Sequence, residues 1–458
     1  MEVTLSEILN AREKRVQMQR TLLSSYNTPL ICFSMNIAGP VKTSPEIERA
    51  FFEGKRLLDC ALCNFCVKHT FTDVSPTGCQ AMYCVDADAA ELKRICVEIE
   101  TASRLGRLFD MDVLTQSGEK LERQSQRECL VCGKVGRECA VSRAHSVEHL
   151  QMVSAKIIDE YFLSFDAERF SLLCRDCLLQ ELYTTPKPGL VDRRNCGSHP
   201  DMTPELFERS ANALKEYFRQ SFLLGALWKE GVNEKLFLRL RRLGLDAEDA
   251  MYSASDGVNT HKGAVFCFGL ILCALGLTWS VSEPYPSIDS ILSLSASLAE
   301  FSLSDLSESD ADTAGKRLFL SHKIRGVRGE AASGFHSVKA IALPFYENAL
   351  AAGASKNDAG VISLLALIAN LDDTTLYKRG GDEGVKYARS YARSILEECE
   401  QQMRNGRDGI SALIISQIEK MDDEFIERNL SVGGCADLLS VCFFLHEIKE
   451  QKKLFCLT

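Results

Sequence analysis

Tryptophan and histidine are scarce in this chain, with 2 and 8 copies in 458 residues, and positive charge is in deficit, leaving a formal net charge of −10. That deficit excludes a general nucleic-acid binder, which needs broad basic faces, although local basic patches still suit small phosphorylated ligands. No fixed-period repeat is present, which excludes a solenoid. The first twenty residues, MEVTLSEILNAREKRVQMQR, lack an apolar run, so no secretory signal is expected and a cytoplasmic protein is predicted. Long disorder is excluded by the balance of 46% hydrophobic and 25% charged residues.

What is present in quantity is cysteine, at 19 residues. Without an export signal these read as reduced thiols, with room for one metal site, rather than as a disulfide framework. The apolar run GAVFCFGLILCALGLTWSVS (263–282) is just long enough to span a bilayer. It lacks a basic cluster at its far end and carries Gly269 and Gly276, which suit close helix packing, so a buried core helix and no membrane partner are expected.

The length implies at least two domains. Short apolar runs bounded by turns (PLICFSMNIAGPVK, CQAMYCVDA, GRLFDMDVL) alternate with helical patterns before residues 160–170, and helical periodicity dominates afterwards. The expected architecture is multi-domain, with an α+β N-terminal domain over 1–163 and a mostly all-α C-terminal domain over 166–458. The Ser- and Asp-rich stretch 293–315 is predicted to be a solvated connection inside the second. Cys60, Cys63 and Cys66 are read as one face of an amphipathic helix, as are Cys174 and Cys177.

In GRLFDMDVL, Asp110 and Asp112 alternate along a predicted strand and so point to one face, where two hard oxygen ligands can hold Mg²⁺ against a polyphosphate. Arg107, just upstream, is placed to neutralise phosphate charge. By themselves the two acids read more readily as exposed turn residues at a strand edge, and it takes the surrounding sequence to reverse that. Cys129, Cys132, Cys139 and His145 can supply Cys₃His ligation of a structural Zn²⁺, with unligated thiols in a short knuckle as the alternative.

Three stretches, MNIAGPVK (35–42), LGRLFDMDVLTQSGE (105–119) and CLVCGKVGRECAVSRAHS (129–146), resemble in order the citrate lyase phosphoribosyl-dephospho-CoA transferases. The resemblance implies a nucleotidyltransferase-like fold and attachment of a prosthetic group to a serine of the citrate lyase acyl carrier (gamma) subunit, with pyrophosphate released.

Five further stretches, TPKPGLVDRRNCGSHPDM (185–202), GVNTHKGAVF (257–266), GVRGEAASGF (326–335), DTTLYKRGG (373–381) and RNLSVGGCADLL (428–439), resemble in order the triphosphoribosyl-dephospho-CoA synthases. Such enzymes join ATP to 3′-dephospho-CoA and release adenine, so the site must clamp three phosphates and stabilise an oxocarbenium-like carbon. Lys187, Arg193, Lys262, Arg328 and Arg379 are the candidate phosphate donors, with Gly263, Gly433 and Gly434 allowing close backbone approach. Glu181, Asp192, Glu330, Asp373 and Asp437 are candidate Mg²⁺ ligands or a base for the acceptor hydroxyl. His199 and His261 are candidates to protonate the leaving adenine or to bond a phosphate. The reading is a bifunctional transferase; the alternative is a non-catalytic zinc-containing interaction protein.

Overall fold

The structure, a computed structural model, describes residues 2–123, 126–307, 326–406 and 409–457. These form two compact units, Met1–Phe165 with Ser280–Ser282, and Asp166–Trp279 with Glu283–Thr458. The first contains a small antiparallel sheet, and the second is helical.

In the first unit, α1 (Leu5–Tyr26) opens on a capping box in which Thr4 Oγ1 accepts from Glu7 N at 3.3 Å and Glu7 accepts from Thr4 N at 2.7 Å. Then follow β1 (Leu30–Met35), α2 (Pro45–Ala61), β2 (Cys66–Ser75), β3 (Gly78–Asp86), α3 (Ala89–Ala102) and β4 (Phe109–Leu114), with sheet order β2-β3-β1-β4. The register sets Cys32 opposite both Asp112 and Met82, and Ser34 opposite both Asp110 and Gln80. Alternation therefore puts Phe109, Met111 and Val113 in the core while Asp110 and Asp112 face the other way. Phe33 stacks on Phe51 of α2 on the core face, at 5.0 Å between centroids. On the opposite face α1 packs Met18, Leu22 and Leu23 against Leu30, Cys32, Met82 and Cys84.

The predicted helix carrying Cys60, Cys63 and Cys66 is corrected here: α2 stops at Ala61, Cys63 lies in a turn, and Cys66 opens β2, with all three exposed. Three cysteines at a spacing of three define no periodicity, and the alternating VKHTFTDVS that follows favours a strand. β2 itself was not among the expected strands.

After α4 (Gly136–Ser142) and α5 (Val147–Tyr183), the second unit is built from α6 (Pro204–Ala213), α7 (Lys215–Leu227), α8 (Glu234–Ala254), α9 (Lys262–Thr278), α10 (Ile288–Ser307), α11 (Gly326–Ala332), α12 (Leu343–Ala351), α13 (Lys356–Asn370), α14 (Thr374–Arg404), α15 (Ala412–Glu427) and α16 (Gly433–Leu457). Cys174 and Cys177 are buried in α5 as expected. The apolar run becomes α9, buried continuously from Cys267 to Gly276 inside the protein. Each fully buried Leu, Ile or Phe on it stabilises the unit by about 2 kcal/mol. A Cβ on Gly276 would lie 2.2 Å from Phe222 O, and one on Gly225 of α7 would lie 2.0 Å from Cys273 O, so the two helices meet backbone to backbone. Among the described residues no single helix is long and apolar enough to cross a membrane.

The predicted solvated connection at 293–315 is also corrected as far as residue 307, which is helical within α10; residues 308–315 lie outside the described residues. Serines are tolerated there because they bond back along the helix, as Ser295 Oγ does to Ile291 O at 2.8 Å, while Leu298 and Ala299 are buried.

Candidate active sites

The second unit holds a cavity of about 650 Å³, within the range of small-molecule sites. Part of its wall is the loop that follows α5. Its stiffness comes from two buried carboxylates rather than from proline alone. Asp192 accepts from Lys187 N (2.9 Å), Arg194 N (2.7 Å) and Asn195 N (3.2 Å), closing the loop on itself. Asp422 of α15, fully buried, accepts from Gly189 N (2.8 Å) and Asn195 Nδ2 (2.7 Å) and pairs with Arg194 at 2.5 Å, fixing the loop to the helical body. Asp192 is thereby an internal staple and does not line the cavity. Arg193 stacks over Tyr183 at 5.2 Å, and Arg328 bonds Ser302 O at 3.3 Å; neither lines it.

All five distant stretches send residues to this cavity. The first brings Lys187 and His199, the second His261, Lys262 and Gly263, and the third Glu330. The fourth brings Asp373 and Arg379, and the last Gly433, Gly434 and Asp437, with Glu181 from α5 beside them. Lys187 Nζ, almost wholly buried, bonds Glu181 Oε1 at 2.5 Å and Glu181 O at 2.7 Å. Lys262 pairs with Glu248 at 2.6 Å. Arg379 donates to Ser198 O at 2.8 Å and contacts His199 Nδ1 at 3.2 Å. Lys378, adjoining Arg379, and Asn259, adjoining Thr260 and His261, also line the cavity. Both lie within the quoted motifs, so the signal for them was present.

The carboxylates compete. Burial, then the neighbouring Glu181 and Asp373, push Asp437 well above the usual carboxylate range. Burial also raises Glu181, Asp373 and Glu330. Asp373 caps α14, with Oδ1 accepting from Thr375 N at 2.7 Å and Oδ2 from Cys435 N at 2.9 Å. Glu330 accepts from Ser337 N at 2.6 Å and Ser337 Oγ at 3.0 Å. Asp437 lies so close to the start of α9 that a Cβ on Gly263 would come within 1.9 Å of its Oδ2, so any larger residue there would displace the carboxylate. A divalent cation in this cavity would relieve the repulsion. Among the described residues the carboxylates do not form a ready-made cage of three converging ligands.

The two histidines differ. His199 Nε2 bonds Ser431 Oγ at 2.8 Å, and burial followed by the charge of Arg379 lowers its pKa. His261 is driven down to about 3 by burial and then by Lys187, so its imidazole is neutral. Thr260 Oγ1 donates to Ser210 Oγ at 2.7 Å, and Ser210 is 2.8 Å from His261 Nδ1. Ser210 thus directs its own proton to Nδ1 and leaves the hydrogen on Nε2, which has no hydrogen-bond partner.

In the first unit, Asp110 and Asp112 line a cavity of about 50 Å³ with Arg15 and Gln19 of α1 and with Ser34 and Gln80 of the neighbouring strands. Arg15 Nε bonds Gln80 Oε1 at 3.0 Å. Asp112 pairs with Lys120 at 2.6 Å and lies 3.9 Å from Lys93, while Asp110 lies 3.6 Å from Arg127. Arg107 turns away to the carbonyl of Glu128. Two carboxylates on one strand face, beside Lys120, Lys93, Arg127 and Arg15, offer the hard oxygen ligands and the cationic surroundings that a divalent ion and a phosphate would need. Arg15 and Gln80 lie outside the stretches that carry the family resemblance; the sheet register brings Gln80 here, and the packing of α1 brings Arg15. Cys129, Cys132, Cys139 and His145 also converge, with one ligand atom from each lying within 4.8 Å of the others.

Residues 3–161 match the model of the apo-citrate lyase phosphoribosyl-dephospho-CoA transferases, and residues 167–455 that of the ATP:dephospho-CoA triphosphoribosyl transferases. The CitXG protein of Haemophilus influenzae is 33% identical, over 97% of this chain and 96% of its own length. That of Leuconostoc mesenteroides subsp. cremoris is 30% identical over 97% of each. A 2-(5″-triphosphoribosyl)-3′-dephosphocoenzyme-A synthase of Pectobacterium atrosepticum is 39% identical over 65% of this chain and 95% of its own length.

Proposed function

The chain belongs to the fused family that joins these two citrate lyase transferases, and from that membership we propose how its two units divide the work. It is a bifunctional transferase that makes the citrate lyase prosthetic group and attaches it to apo-citrate lyase. The helical unit performs the synthesis and the sheet-containing unit the attachment, in a cytoplasmic protein. The observation that carries the first assignment is the convergence of five sequence-distant stretches on one cavity crowded with carboxylates.

In the synthesis, the 2′-hydroxyl of 3′-dephospho-CoA bonds to C1′ of the ATP ribose, the C1′–N9 bond breaks, and adenine leaves. Lys187, Lys262, Lys378 and Arg379 hold the triphosphate, which stays on the ribose. Asp437, whose carboxyl retains its proton unusually far up the pH scale, exchanges a proton with the reacting groups: either donating it to adenine or accepting it from the hydroxyl. His261 is too weak a base to carry a proton and instead offers its Nε2–H as a hydrogen bond. Asp373, Glu181 or Glu330 would hold Mg²⁺, which would supply neutralising charge for the polyphosphate and leave Asp437 free for proton exchange.

In the attachment, the sheet unit has a nucleotidyltransferase-like site. The serine hydroxyl of the acyl carrier (gamma) subunit bonds to the phosphorus nearest the ribose and gives its proton to solvent, while the bond to pyrophosphate breaks and pyrophosphate leaves with the bond electrons. Asp110 and Asp112 would hold Mg²⁺ there, in place of the contact with the half-exposed Lys120, and Arg15 faces the phosphate. The cysteine–histidine cluster has no step in either reaction.

The test is chromatography of a mixture of purified chain, ATP, Mg²⁺ and 3′-dephospho-CoA. Adenine should be released only when dephospho-CoA is present. Asp437→Asn should stop it while leaving transfer of supplied triphosphoribosyl-dephospho-CoA intact, and Asp112→Asn should do the reverse. Adenine release unchanged in Asp437→Asn would remove Asp437 from the reaction.

A further inference from the structure

Cys129 and Cys132 bracket a tight knuckle. Cys129 N bonds Lys134 O at 2.6 Å, Gly133 N bonds Cys129 O at 3.1 Å, and Val131 N points at Cys129 Sγ at 3.5 Å. Cys139 comes from α4 and His145 from just beyond it, so elements of different kinds deliver four soft or borderline ligands to one point. The sulfurs of Cys132 and Cys139 are 3.5 Å apart. That is far beyond the roughly 2.0 Å of a disulfide. It is close to the roughly 3.8 Å that two thiolates on a tetrahedral zinc would keep, given Zn–S bonds of about 2.3 Å. His145 Nε2 is buried with no hydrogen-bond partner. A buried, unpaired imidazole nitrogen beside three thiols is costly unless a metal or proton donor satisfies it.

We propose that Cys129, Cys132, Cys139 and His145 bind one structural Zn²⁺, and that this ion positions the strap carrying Arg127 to the carboxylate pair of the transfer site. Four protein ligands complete a tetrahedral shell, so no position is left for substrate and the role is structural. The knuckle is tied to the strap by the bridge between Glu128 and Val135 and by Gly136 N to Arg127 O at 2.8 Å. Arg127 then bonds Phe109 O at 2.9 Å, pairs with Glu100, and lies 3.6 Å from Asp110. Glu100 in turn accepts from Met111 N at 2.8 Å, between the two aspartates. A fixed knuckle therefore fixes Arg127, and Arg127 fixes both the charge beside Asp110 and the strand edge that carries it.

The positioning role rests on the transfer function assigned to the sheet unit, but the metal site does not, so the test separates them. Metal analysis of the full chain purified from zinc-supplemented cells should find about one zinc per chain. Cobalt exchanged into the site should show the visible bands and thiolate charge transfer of a tetrahedral sulfur-rich ion. The double variant Cys132→Ser, Cys139→Ser should lose both signals, and His145→Cys, which supplies a fourth thiolate, should keep them. Zinc content near zero in the parent chain, or unchanged in the double variant, overturns the site. The double variant should also transfer supplied triphosphoribosyl-dephospho-CoA at least about tenfold more slowly, as displaced catalytic geometry costs, with adenine release unchanged and His145→Cys close to the parent. Equal transfer rates with and without zinc overturn the positioning role.

Discussion

His261 shows how a residue's chemistry is set by its surroundings. Its unfolded imidazole titrates near 6.5 and the folded one near 3, because burial and the charge of Lys187 disfavour imidazolium. As pH falls, the unfolded chain takes up the proton first. The stabilising contribution is therefore fully present above pH 6.5 and is lost progressively as pH falls toward 3. At about pH 5.5 the loss is on the order of 1 kcal/mol. His261→Asn keeps an acceptor for Ser210 but cannot take up a proton, so denaturant unfolding should show the gap between parent and variant shrinking by that amount between about pH 7.5 and 5.5. The raised carboxylates shift in the opposite sense and cancel in this comparison. A constant gap would mean that the folded imidazole protonates freely. The sequence marked His261 as a site candidate through its polar motif, but the neutral state depends on Lys187, which lies 74 residues away in sequence.

At the scale of elements, the loop after α5 is the instructive case. Its sequence was legible as one of the site stretches, with Asp192 marked in it as a candidate ligand or base. Asp422 was not, because it sits in an ordinary amphipathic helix and acts only through the loop that folds onto it. Replacing Asp422 with Ala leaves Gly189 N–H, Asn195 and Arg194 without their buried acceptor, and should destabilise the helical unit by about 3 kcal/mol. Thermal unfolding measures that, and the KM for ATP should rise as Lys187 and His199 lose their fixed backbone. An unchanged melting temperature would place the loop's rigidity elsewhere. The sheet makes the same point: alternation in FDMDVL put both aspartates on one face, whereas their neighbour Gln80 follows from strand pairing across dozens of residues and Arg15 from the packing of α1 on that face. The misread cysteines at 60, 63 and 66 and the misread serines of α10 were local patterns that tertiary packing overrode.

For the whole molecule, two reactions in series on one chain predict complementation. Asp112→Asn and Asp437→Asn chains, each lacking one step, should together regain attachment to apo-citrate lyase, because the intermediate can leave one chain and enter another. Their joint rate should fall more steeply on dilution than that of the parent, since fusion keeps the second site at a higher effective concentration. No recovery on mixing would show that the intermediate never leaves the chain that made it.

The order and chemistry of the motifs, the change from mixed to helical periodicity, and the buried character of the 263–282 run were all readable along the chain, because each depends on residues close together in sequence. Which charges meet was decided in three dimensions. Asp437 against Gly263, Asp422 beneath Gly189 and the partnerless nitrogen of His261 arise from helices that pack across large sequence separations. Coulombic and desolvation energies depend on distance and burial, and only packing sets those.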